Sequence, residues 1–193
     1  MATPKLTHLH PVSASGRLPA HLASTWLRTY AVLWTLTIAS GVLVALVGQP
    51  LTSLVRGLLG LALSAQRNPP PDLSQVLALA AQNIPLACWP LLLGAIEAHH
   101  SRRGIRIADT LLAAVLLVNT AQVGAALAAY GLAVLPYLPQ LPLEWGSLAL
   151  GASSWLLQKR QPLTVTQGLS VFVLTSLVML GAAVVEIVAV PHR

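Results

Sequence analysis

Residues 165–190 read VTQGLSVFVLTSLVMLGAAVVEIVAV, a run with one ionisable side chain, Glu186, and closed by Pro191. Roughly 20 mostly apolar residues suffice for a helix to cross the hydrocarbon of a bilayer. A helix apolar on every face belongs in lipid or in the middle of a large core. This stretch therefore predicts a membrane span, and the rest of the chain can be measured against it.

Composition points the same way. Hydrophobic residues make up 55% of the 193 residues and charged residues only 8%, with a mean hydropathy of +0.74. A soluble domain solvates its surface with about 25% charged residues, so a chain this poor in charge needs lipid as its cover. The net charge of +6 sits in short clusters between apolar stretches. That distribution sets topology and argues against nucleic-acid binding. Cys88 is the only cysteine, which excludes disulfides within the chain and cysteine-based zinc sites; it reads as a small buried hydrophobe.

Working outward from the last span gives an all-α, polytopic bundle of about five spans, near 30–47, 76–98, 108–129, 144–157 and 165–190. Residues 1–28 form a polar cytoplasmic tail and 29–191 one transmembrane helical domain, the first span being an uncleaved anchor. Between the first two spans, Leu51–Ala65 is apolar but short and interrupted by Arg56, the pattern of a helix lying along the membrane surface. Asp72 or Ser74 can cap the second span, which Pro85 and Pro90 should kink. Glu97–Asp109 is expected to be a loop, and Gly131–Pro142 is a Pro-rich interfacial connection. Trp145 and Trp155 stand near the ends of the short fourth span, like interface anchors.

Orientation follows from charge. With the amino terminus inside, the cytoplasmic segments hold Lys5, Arg17, Arg28, Arg102, Arg103, Arg106, Lys159 and Arg160, eight of the eleven basic residues. This is the bias of the positive-inside rule, and it predicts an N-in, C-out protein of the plasma membrane.

Several polar groups fall within the apolar runs. An ionisable group at membrane depth costs about 2.5–3.5 kcal/mol on insertion scales, so its presence calls for a reason. Glu186 lies in span five, Glu144 opens span four, Asn83 lies early in span two, and Asn119 and Gln122 share one face of span three. Alternating helices should deliver Asn83, Glu144 and Glu186, with Asn119 and Gln122 close by, to the outer half of the bilayer. They read either as a buried polar site or as hydrogen bonds that fix the bundle's register. Ala121, Ala125 and Ala129 offer a small-residue seam for close helix packing.

Glu97-x-His99-His100 is not a metal site, because adjacent histidines point about 100° apart on a helix. His8-x-His10 is weaker still. The chain has no Gly-rich phosphate loop, zinc-protease helix or nucleophile motif, and no cofactor is expected.

At these same positions the chain resembles the stage II sporulation protein M family. Asn83 and Gly94 match an asparagine and a glycine eleven residues apart in one helix; Asn119 and Gly124 match a second element, with Thr120 in place of a glycine. Pro139-Gln140-Leu141-Pro142-Leu143-Glu144 keeps the proline and glutamate of a third but not its histidine and glycine. Ala183, Glu186 and Pro191 reproduce the fourth. The resemblance spans residues 82–191 and implies a membrane scaffold that holds cell-wall-associated enzymes, or a component of circular-bacteriocin maturation, export or immunity. Gln140 cannot titrate where the family has histidine, which disfavours an enzyme.

Three functions compete. The first is a non-enzymatic membrane subunit with membrane or cell-wall-associated protein partners. The second is a transport or peptide-maturation component using Glu144 and Glu186, partnered by an ATPase or a peptide precursor. The third and weakest is an intramembrane hydrolase or ligase using the same carboxylates. Oligomerisation is left open.

Overall fold

The structure, a computed structural model, describes residues 21–59, 72–95 and 101–189. All regular elements among them are helices: α1 Leu22–Val47, α2 Gln49–Leu59, α3 Leu73–Ala95, α4 Arg102–Tyr130, α5 Leu141–Gln158 and α6 Val165–Ala189, with a 3-10 segment Gly131–Tyr137 between α4 and α5. Four of these helices, α1, α3, α4 and α6, are long and apolar enough to cross a membrane. Their outward faces carry large exposed apolar side chains such as Leu46, Leu92, Leu117 and Leu177, the surface a bilayer would cover.

The organising element is α5, at 18 residues shorter than any of these four. α5 is buried nearly all round, from Trp145 without interruption to Trp155. It packs against α1, α3 and α6, while α4 packs along α1 and reaches α5 at Trp155 through Ala108 and Leu112, and α3 pairs with α6. Small residues let the neighbours approach. A Cβ on Gly151 would overlap the Ala87 carbonyl oxygen of α3. Ser147 Oγ donates to the Thr175 carbonyl of α6 at 3.1 Å, and Ser153 Oγ to Thr29 Oγ1 of α1 at 3.2 Å. Hydroxyls and glycines lower the hydropathy of α5 without exposing polarity to lipid, because none of that surface meets lipid.

This placement corrects the reading of Trp145 and Trp155 as interface anchors. They are 2% and 0% exposed, inside the bundle. Their indole N–H groups donate to Thr37 Oγ1 at 3.2 Å and to Asp109 Oδ1 at 2.9 Å, as buried tryptophans require.

Two boundaries also move. α1 begins at Leu22, so Arg28 lies on the helix and not in a tail. The expected loop over Glu97–Asp109 is helical from Arg102: the Ser101 hydroxyl caps α4 by accepting from the Gly104 amide at 2.9 Å. Arg102, Arg103 and Arg106 therefore occupy its first two turns. Glu97, His99 and His100 lie outside the described residues, as do His8, His10 and Pro191.

α3 continues through Pro85 and Pro90 as one helix. At its start, Ser74 Oγ bonds the Asp72 carboxylate, which holds that carboxyl below its usual pKa. Gly48, at φ +77°, turns the chain from α1 into α2. At 11 residues α2 is too short to span. Arg56 pins it to the end of α4, donating through Nε and Nη2 to the Ala129 carbonyl at 2.9 and 2.6 Å. Its guanidinium lies 5.8 Å from the Tyr130 ring centre.

Candidate functional site

The five polar residues singled out in the sequence separate into two groups. Glu144 lies in the first turn of α5 and Glu186 in the last turns of α6, and both are half-buried. Leu143, beside Glu144, reaches α6 at Gly181, so the start of α5 packs along the second half of α6. The geometry has a simple origin. Glu186 continues the stripe Thr175, Met179, Ala182 and Ala183 that α6 buries, and Glu144 stands one turn before Leu148 on the buried helix.

Asn83 is half-buried on the α3 stripe that contains Val76, Ala80 and Ala87. Val76 and Ala80 cluster with Ala183 of α6, while Ala87 clusters with the α5 core. Asn83 therefore belongs to the same α3–α5–α6 interface as the two glutamates. Two carboxylates in an apolar setting repel one another, and a shared proton or a basic group between them relieves that repulsion. Such a pair can hold a proton or a cationic group.

Asn119 and Gln122 are elsewhere. α4 packs chiefly on α1 and α2, whereas α6 packs on α3 and α5. Asn119 Nδ2 donates to the Val115 carbonyl of its own helix at 2.8 Å, and Gln122 is exposed. The close contact on α4 also differs from the alanine seam. A Cβ on Gly124 would overlap Ser40 Oγ and the Thr37 carbonyl oxygen of α1, and would stand 2.9 Å from the Gly41 nitrogen. Ala125 and Ala129 instead pack with Val44 and Val55.

A second polar constellation, absent from the sequence reading, lies at the opposite end of the bundle. Asp109 accepts from Lys159 Nζ at 2.8 and 3.0 Å through its two oxygens, and from Trp155 Nε1 at 2.9 Å. It ties the start of α4 to the end of α5. The available signal was an acid, one of only five in the chain, placed three residues after Arg106 where the apolar run begins. Cys88 is buried, its Sγ 3.8 Å from Ser176 Oγ. Among the described residues, no three of His, Cys, Asp and Glu gather into a metal-binding group.

No family model, curated protein or solved structure matches this chain.

Proposed function

We propose that the chain is a five-span plasma-membrane protein, amino terminus in the cytoplasm, that acts as a non-enzymatic subunit of a membrane complex, in the manner of stage II sporulation protein M. Its partner would be a membrane or cell-wall-associated protein, engaged through Glu144 and Glu186 in the outer half of the bilayer. The observation that carries this reading is the placement of two half-buried carboxylates, Glu144 opening α5 and Glu186 in the last turns of α6, on two helices that pack together.

The topology rests on three supports. The 18 residues of α5 rise about 27 Å, close to the hydrocarbon thickness, so α5 serves as the fourth span despite its modest hydropathy. Arg28, Lys159 and Arg160 line one cleft, which puts basic residues from two chain segments at one end, the cytoplasmic end by the positive-inside rule. α2, held by Arg56 at the other end, lies along the outer interface.

The test is affinity purification of the full chain in mild detergent from its native host. Glu144→Gln and Glu186→Gln should lose at least tenfold of a co-purifying partner while the abundance of the chain is unchanged. Equal recovery of that partner with both variants would refute the reading. The pairing of the carboxylates also favours a second function: proton-coupled export or maturation of a peptide such as a circular bacteriocin, with an ATPase as partner. In that case the same variants keep their partners and stop export.

A further inference from the structure

At the end of the bundle where α1 and α4 begin and α5 finishes, a cleft of about 650 Å³ opens. This lies within the roughly 300–1,000 Å³ usual for ligand sites. One wall is a single face of α1, formed by Thr25, Arg28, Thr29 and Val32 at helical spacing. The other is the equivalent face of α4: Asp109, Leu112, Ala113 and Leu116. Ala152 and Leu156 of α5 close the back.

α1 and α4 meet backbone to backbone near Gly41 and Gly124, where a Cβ on Gly41 would stand 3.0 Å from the Gly124 oxygen. Toward the Arg28 end the two faces stand apart, and the gap between them is the cleft. Val32 is 54% exposed, so the cleft opens sideways, where lipid lies, as well as toward the end of the bundle.

Its chemistry changes with depth. The rim carries Arg28, Lys159 and Arg160 against one carboxylate, Asp109, which leaves two net positive charges. Lys159 is committed to Asp109, while neither Arg28 nor Arg160 has a carboxylate partner among the described residues. Below the rim the walls are mostly aliphatic: Val32, Leu112, Ala113, Leu116, Ala152 and Leu156, with the Thr29 hydroxyl taken up by Ser153. A free anion satisfies only the rim and an apolar molecule only the walls; an anionic amphiphile satisfies both. Basic pockets between helices on the cytoplasmic side are where acidic phospholipid head groups bind.

We infer that this cleft holds an anionic phospholipid, its phosphate between Arg28 and Arg160 and the start of an acyl chain between Val32 and Leu116. The inference rests on the membrane-spanning reading and not on the carboxylate pair at the other end. Each basic side chain near an anionic membrane surface strengthens binding roughly fivefold.

The full chain in mild detergent is titrated with phosphatidylglycerol, or with phosphatidylcholine of the same chains, and bound lipid is counted by native mass spectrometry. Phosphatidylglycerol should bind at least tenfold tighter. Arg28→Gln/Arg160→Gln should weaken it on the order of 25-fold. Ala113→Trp, which fills the cleft and leaves every charge, should weaken it comparably. Arg102→Gln/Arg103→Gln, basic residues at the same end but outside the cleft, and Glu144→Gln/Glu186→Gln should bind as wild type. Equal binding of the two lipids, or retention by both cleft variants, would overturn the inference. So would an equal loss in Arg102→Gln/Arg103→Gln, which marks general charge attraction. Displacement by low-millimolar inorganic phosphate would make this a free-anion site and overturn it as well.

Discussion

Replacing Gly124 with alanine tests whether backbone contact between α1 and α4 holds that half of the bundle together. The new Cβ would overlap the Thr37 carbonyl oxygen and Ser40 Oγ, and would stand 2.9 Å from the Gly41 nitrogen, where ordinary contact starts near 3.4 Å. Backbone atoms cannot rotate away, so the helices must separate by at least half an ångström, the difference between those two distances. A gap of about 0.5–1 Å forfeits a quarter to a half of each van der Waals well. Even a seam no larger than the contacts of one buried leucine, on the order of 40 atom pairs at about 0.15 kcal/mol each, loses about 2 kcal/mol. Separation also strains the bond from Ser40 Oγ to the Thr120 carbonyl, 3.3 Å long, worth about 1 kcal/mol. Lipid tails are as apolar as the seam, so no hydrophobic term compensates. The expected cost is about 2–3 kcal/mol, roughly 30- to 150-fold in the unfolding equilibrium. Equilibrium titration with SDS in mixed micelles, followed by tryptophan fluorescence, measures it. Gly57→Ala is the control: nothing lies within 4 Å of its added Cβ, and helix propensity should make it neutral or slightly stabilising. A Gly124→Ala variant no less stable than Gly57→Ala would refute the argument.

Asp109→Ala removes the acceptor of the Trp155 indole, which is 0% exposed, and should cost about 1–3 kcal/mol by the same titration. Asp109→Asn keeps an acceptor and loses only a partly exposed ion pair, worth less than about 1 kcal/mol; equal costs for the two variants would show that the indole bond is immaterial. In a Cys88→Ala background, single cysteines at 144 and 186 should react with a membrane-impermeant maleimide from one side, and a cysteine at 103 from the other. Labelling of 144 and 186 from opposite sides would dissolve the carboxylate pair.

Hydropathy and charge were enough to read the helical class, the four long apolar helices and the cluster of basic residues at one end, because lipid solvation depends on composition along a single helix. The same arithmetic groups Glu144 and Glu186 by depth, since alternating helix direction fixes which end each is expected to occupy. It failed for Asn119 and Gln122. Depth says nothing about rotation or neighbours, and α4 packs on α1 and α2, away from the glutamates.

The tryptophans of α5 were misread for a related reason. In a soluble helix the polar face marks the outside, but here the serines, glycines and indoles of α5 face inward, while leucines such as Leu43 and Leu46 of α1 and Leu177 of α6 face outward. Sequence alone determined the all-helical class and the four helices long and apolar enough to cross a membrane. Only the tertiary structure decided that α5 is the hub, that Asp109 meets Lys159 and Trp155, and that a cleft separates α1 from α4. In lipid, packed and exposed helix faces are both apolar, so pairing is set by the fit of small residues such as Gly41, Gly124 and Gly151, which no periodicity reveals.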